Sequence, residues 1–331
     1  MKNKTAWLLV LLLTALSLAG CAAKTAEKTQ NSAGEPNKLF TLKVPTQTGF
    51  NETDIADELG YFREEGIEIK YTGVVKPGTD IQTVASGDND VFISGHPNNV
   101  AQARLAGVKV LAVAPGMVDN PDFPHVRYLV KEDSPIKSLN DIVGKKVSIT
   151  SYTVCSDGYL KLYLKQNNLT QNVEWVLLPT AGQQEQSLKQ GLIDVTTSHP
   201  PYAGVALSEG GVRQIATSYD IVKTPAAGLS VRGFSEQFIK EHPDVVRGFC
   251  RAMAKARVWI NAHQKEAIEI IAKRLNLPAE KVNQSVFWYD EHKAIEPSYI
   301  ETWFKISQDI GLWKEGDIKP TDIYTNEFAP Q

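Results

Sequence analysis

Gly87-Asp88-Asn89-Asp90-Val91-Phe92-Ile93-Ser94-Gly95-His96-Pro97 is written a second time, 104 residues later, as Gly191-Leu192-Ile193-Asp194-Val195-Thr196-Thr197-Ser198-His199-Pro200. In each copy a glycine and an aspartate precede a short β-rich run that closes on serine, histidine and proline. Both copies continue through an alanine-containing, helix-compatible segment to Gly107-Val108-Lys109 and Gly211-Val212-Arg213, so the glycine-to-glycine spacing is twenty residues both times. The order strand, loop, helix, turn, strand occurs once in each half. That predicts two similar α/β lobes.

The flanking sequence agrees. Phe40 to Val44 is a β-rich run that ends at Pro45, and Ile55, Leu59 and Phe62 then fall at i, i+4 and i+7 on one helical face. Gly60 suits the residue just past that helix, and Ile67-Glu68-Ile69-Lys70-Tyr71 alternates as a strand. Strands alternating with helices imply mostly parallel sheets. Gly228-Leu229-Ser230-Val231-Arg232 reads as a strand returning to the first lobe. From Pro243, a residue suited to the first helical position, Val246, Phe249, Cys250, Met253 and Ile260 make a core stripe.

The N-terminus is an address. Lys2 and Lys4 precede an apolar run from Ala6 to Leu18, which is 13 residues and short of the about 20 that span a bilayer. Leu18-Ala19-Gly20-Cys21 resembles a bacterial lipobox, which implies removal of residues 1–20 and a lipid on Cys21. Residues 22–37 are small and polar and read as a flexible tether.

The chain has 331 residues, with 42% hydrophobic, 22% charged and 8% aromatic. This composition excludes collagen-like and disordered classes, and the length suits two lobes. A net charge of −3 is no footprint for nucleic acid. With Cys21 lipidated, only Cys155 and Cys250 remain as thiols; the layout puts them in different lobes, so two free, buried or partly buried cysteines are expected.

Ala56-Asp57-Glu58-Leu59-Gly60-Tyr61-Phe62-Arg63-Glu64-Glu65-Gly66-Ile67, Gly87 to Val91, and above all Asp133-Ser134-Pro135-Ile136-Lys137-Ser138-Leu139-Asn140-Asp141-Ile142-Val143-Gly144-Lys145-Lys146-Val147 carry a resemblance. With Phe238 to Ile260, they resemble the solute-binding proteins of ABC importers, in the nitrate, sulfonate, taurine and thiamine-precursor class. The resemblance covers residues 39 to 315. It implies a type II periplasmic binding protein-like fold, two α/β lobes joined by a two-strand hinge near Val130-Lys131 and Val231-Arg232. Residues 38–130 plus 233–331 would form one lobe and residues 131–232 the other. It also implies an extracytoplasmic, lipid-anchored monomer of a bacterial cell membrane, partnered by a permease and its ATPase. A solute sensor for a signalling receptor is the alternative, and an exported enzyme of the thiamine-pyrimidine synthase-like fold a third.

In open α/β sheets ligands sit beyond the carboxyl ends of strands, where helix N-termini offer free N–H groups. The candidate loops supply Gln47, Thr48 and Phe50; Thr79, beside Lys76; Ser94, His96 and Asn98; Ser151, Tyr152, Thr153 and Ser156; and His199 with Tyr202. His96 and His199 hold equivalent places in the two repeats and can clasp a ligand from opposite sides. Trp288 is a weaker candidate, and His125 reads as an ordinary loop residue. Lys76 is the one evident cation, with no arginine clamp in view. With no third or fourth ligand at metal spacing, no metal is expected. No Gly-x-Ser-x-Gly, Walker, His-Glu-x-x-His or Cys-x-x-Cys motif occurs, so neither catalysis nor a cofactor is expected. The anticipated ligand is a small polar or aromatic organic solute, a sulfonate-like anion or a heterocycle.

Overall fold

A computed structural model describes residues 39–331 apart from residues 77, 181 and 285; the expected signal segment, the expected tether and Cys21 lie outside the described residues. The strands are β1 (Phe40–Thr46), β2 (Ile67–Val74), β3 (Val91–Gly95), β4 (Val110–Pro115), β5 (Met117–Val118), β6 (Arg127–Lys131), β7 (Lys146–Ile149), β8 (Glu174–Leu177), β9 (Val195–Ser198), β10 (Val212–Thr217), β11 (Val231–Ser235) and β12 (Trp288–Tyr289). One five-stranded sheet has the order β10-β6-β9-β7-β8. A second group comprises the pair β1-β2, the sheet β3-β11-β4 and the short pair β12-β5. Asp90 ties β1 to the start of β3: its N–H donates to the Lys43 carbonyl at 3.0 Å, and its carboxylate accepts from Lys43 N at 2.7 Å.

The two sequence repeats fold as expected. The first becomes β3, the helix Pro97–Leu105 and β4; the second becomes β9, the helix Tyr202–Glu209 and β10. Gly60 sits past the helix Glu52–Glu58 with φ of 78°. Pairing is more mixed than the alternation of strands and helices suggested. β1-β2, β7-β8 and β7-β9 are parallel, whereas β6 and β11 run antiparallel to every neighbour. The reason is topological. These two strands arrive from a neighbouring sheet rather than from a helix that returns the chain to the same edge. Val130 and Lys131, like Val231 and Arg232, therefore lie inside paired strands, and the segments between sheets are residues 119–126 and 218–230.

The helical C-terminal third packs as its periodicity requires. In the helix Pro243–Ala262 the stripe Val246, Phe249, Cys250, Met253, Ala256 and Ile260 is buried, each large apolar side chain contributing about 1.5–3 kcal/mol. His242 lies outside it, separating it from the helix Glu236–Glu241, because the residue before a proline avoids helical geometry. Trp303, 1% exposed, donates Nε1–H to the Ala226 carbonyl at 2.6 Å, and the Tyr159 hydroxyl donates to the next carbonyl, Ala227. These bonds fix the connection that precedes β11. Cys155 and Cys250 are free thiols, half-buried and buried. Among the described residues no helix is long and apolar enough to cross a membrane.

Candidate functional site

A cavity of about 280 Å³ opens where β1 and β3 end, facing the turn after β9. The loop after β1 contributes Gln47, Thr48, Gly49, Phe50 and Asn51; β3 contributes Ile93 and Ser94; the turn after β9 contributes Pro200, Pro201 and Tyr202. Met117, Ser230, Arg232, Phe287 and Tyr289 complete the wall.

Local chemistry explains why each element presents these groups. The Asn51 side chain caps the helix Glu52–Glu58, accepting from Asp54 N at 2.8 Å while its amide donates to the Gly49 carbonyl at 3.0 Å, and this shapes the loop. At the end of β3, one Asp80 oxygen accepts from Ile93 N at 2.9 Å, Ser94 N at 2.8 Å and Ser94 Oγ at 2.8 Å. The Ser94 hydroxyl proton is thus spent on Asp80, and the oxygen's remaining lone pair is an acceptor.

Arg232 is the cation of this site. It projects from β11, its side chain 6% exposed, and donates Nε–H to Glu52 Oε1 at 3.0 Å and Nη1–H to Ser230 Oγ at 3.0 Å. The Ser230 hydroxyl accepts in turn from Met117 N at 2.9 Å. Gly116 makes room for this arrangement: a Cβ there would stand 2.5 Å from Ser230 Oγ and 2.7 Å from the Arg232 guanidinium. Burial pushes the Glu52 carboxyl up, opposed chiefly by the charge of Arg232 and then by that of Arg257. Arg257 is itself buried, donates to the Asp290 carbonyl at 2.6 Å, and is pulled below its ordinary value by desolvation. The Arg232–Glu52 ion pair thus stands beside aromatic faces from Phe50, Tyr202, Phe287 and Tyr289.

Behind this wall the histidines meet. The rings of His96 and His125 lie 5.1 Å apart and those of His125 and His199 5.0 Å apart. Phe287, which lines the cavity, is 6.4 Å from His125. His96 donates Nδ1–H to the Leu229 carbonyl at 2.7 Å and stacks on Trp303 at 5.0 Å. Burial holds His96 and His199 down to about 4 and His125 well below its ordinary value, so all three imidazoles are neutral at pH 7. Cys155, on a turn of π-helix over Val154–Gly158, joins them; burial pushes its thiol up to about 11.

Of the residues expected from sequence, Gln47, Thr48, Phe50, Ser94 and Tyr202 line the cavity. His96 and His199 converge, but behind the wall rather than on it. Thr79 donates to the Lys76 carbonyl at the start of the helix Asp80–Ala85, Asn98 is buried in the helix Pro97–Leu105, and neither lines the cavity. Ser151 and Tyr152, the latter 56% exposed, lie on the surface. Thr153 N donates to Asp157, and Ser156 is buried. Two readings are corrected. Arg232, rather than Lys76, is the buried cation of the site, and His125, 5% exposed and packed between His96 and His199, is no ordinary loop residue. An arginine inside the apolar run Leu229 to Phe234 was the available signal, since such a charge is buried only with a partner.

A family model described as NMT1/THI5 like matches residues 48–267, two thirds of the chain. The chain belongs to the NMT1/THI5-like family. Among relatives, an aliphatic sulfonates-binding protein of Escherichia coli (strain K12) is 25% identical over 67% of this chain, which spans 66% of that protein. The formylaminopyrimidine-binding protein of Halalkalibacterium halodurans is 28% identical over 79% of this chain and 76% of its own. The crystal structure of the periplasmic aliphatic sulphonate binding protein SsuA from Escherichia coli superposes with a TM-score of 0.67 at 20% identity, covering 85% of this chain and 91% of that one. The fold is that of the periplasmic binding proteins, as the motifs implied.

Proposed function

We propose that this NMT1/THI5-like protein is the extracytoplasmic solute-binding component of an ABC importer, and that it binds its solute without altering a bond in it. The observation that carries the reading is the cavity itself. Loops from both groups of strands enclose it, at strand ends, with a buried arginine at its base. Residues 119–126 and 218–230 then serve as the hinge between the lobes, and closure on the solute presents the shape that the permease reads. A lipid on Cys21 and the polar segment after it would hold a monomer beside that permease.

The cavity also favours one end of the expected ligand range. Its volume of about 280 Å³ lies near the lower limit of small-molecule sites. Arg232 is already paired with Glu52, which weakens its pull on an inorganic anion, and four aromatic side chains suit a planar polar ring. A small heterocycle fits this wall better than nitrate does.

The test is a thermal-shift screen of the full-length protein against alkanesulfonates, nitrate, pyrimidines, flavins and aromatic acids, with native mass spectrometry of each hit. A solute at 100 times its Kd stabilises by about 2.7 kcal/mol, a shift of several degrees for a chain of this size. Tyr202→Ala and Gln47→Ala should abolish the shift while leaving the unliganded Tm within about a degree. A hit released with altered mass, or one that ignores both substitutions, would sink the reading.

A further inference from the structure

We propose that His96, His125 and Cys155, with the His199 ring packed 5.0 Å from that of His125, form a binding site for a borderline-soft divalent metal of the zinc class. The ligand-capable atoms of the first three residues all lie within 4.8 Å of one another. A tetrahedral zinc with bonds of about 2.0–2.3 Å spaces its ligands by about 3.3–3.8 Å, so a small contraction closes the site.

Unpartnered nitrogen carries the argument further. His125 is 5% exposed, and neither of its ring nitrogens has a hydrogen-bond partner within the protein. Leaving such a group unpaired in the interior costs about 1–3 kcal/mol, and a metal bond on one nitrogen removes that penalty. His96 is already dressed as a ligand. Its Nδ1–H is held by the Leu229 carbonyl at 2.7 Å, which leaves Nε2 as the only lone pair and fixes the ring's orientation, the usual outer support of a metal-bound histidine. Cys155 supplies sulfur, and the mixed nitrogen and sulfur set selects zinc-like ions over magnesium or calcium. The chain around the site is pinned as well: Asp119 accepts from His125 N at 2.8 Å, and Ser218 Oγ accepts from Val126 N at 3.0 Å.

The four residues come from the loop after β3, the connection before β6, the turn after β7 and the end of β9. A metal here therefore staples the two groups of strands together behind the cavity. This inference stands apart from the solute reading, since no cavity-lining side chain is a ligand.

The test uses the full-length protein stripped with a chelator and titrated with zinc alone, then with cobalt(II) as a spectroscopic stand-in. One equivalent of zinc should bind and raise the Tm. Cobalt should give the intense visible bands of a four-coordinate site with a sulfur-to-metal charge-transfer band. His125→Gln should lower zinc affinity by at least about 10–100-fold, the range that even outer partners of a metal command. Cys155→Ser should remove the charge-transfer band. Circular dichroism shows whether each variant has folded, and the cobalt spectrum of the unsubstituted protein decides the matter without any variant. Absence of stoichiometric binding, a cobalt spectrum without sulfur character, or unchanged affinity in a folded His125→Gln protein would overturn the proposal.

Discussion

Arg232 and Glu52 meet because a glycine stands opposite. Both side chains are nearly excluded from solvent, at 6% and 0% exposure, so their attraction offsets a large desolvation cost and neither is tolerable alone. Arg232→Met should therefore lower stability by about 3–5 kcal/mol, read as a fall in the urea midpoint. Adding Glu52→Gln should restore a good part of that loss, because the stranded carboxylate is then gone. Equal stabilities for the single and double variants would show that packing, not charge, dominates. Gly116→Ala tests the same contact from the other side. Its Cβ would fall 2.7 Å from the guanidinium, so the arginine must shift and solute affinity should drop in a calorimetric titration.

Among elements, the short turn of helix over Leu139–Ile142 lies within the most family-like stretch of the sequence. The Ser138 side chain caps it, and Asp141 reaches back to accept from the Lys137 and Ser138 N–H groups, both at 2.9 Å. Those bonds favour the charged form and hold the Asp141 carboxyl below its ordinary value. A depressed carboxylate contributes stability above the unfolded-state pKa, and that contribution fades as the pH falls through the folded one. Asp141→Ala should thus lower the Tm at pH 7, and the gap to the parent should narrow in thermal melts taken towards pH 3. The long helix Pro243–Ala262 behaves differently because its stability is apolar. Phe249, fully buried against Phe62 at 5.6 Å, should cost about 3–5 kcal/mol on truncation to alanine, independent of pH over this range.

At the scale of the whole molecule, the residues with chemistry come together from distant parts of the chain. The cavity draws on segments from Gln47 to Tyr289, and the histidine cluster on positions 96, 125 and 199. If the proposed closure takes place, solute binding should slow amide hydrogen exchange in residues 119–126 and 218–230, the connections between the sheets, as well as around the cavity. Protection confined to the cavity loops would argue for a rigid receptor.

The repeated Gly-to-Pro pattern, the helical stripes and the glycine past the first helix were all legible in one dimension. Each depends on neighbours within a few turns of chain, where spacing alone places side chains on a face or a cap. Five cavity residues were legible for the same reason, because strand ends and the loops after them are local features. Arg232, Gly116 and the pairing of Arg232 with Glu52 were not, since that buried ion pair joins residues 180 apart in sequence. Nor was His125. Its neighbours in the cluster, His96, Cys155 and His199, lie 29, 30 and 74 residues away, a spacing no motif records. Sequence by itself determined the family, the repeated elements and the strand ends at which the cavity opens. Tertiary structure alone decided which polar groups face one another there, because burial and pairing of charge are properties of contact rather than of order along the chain.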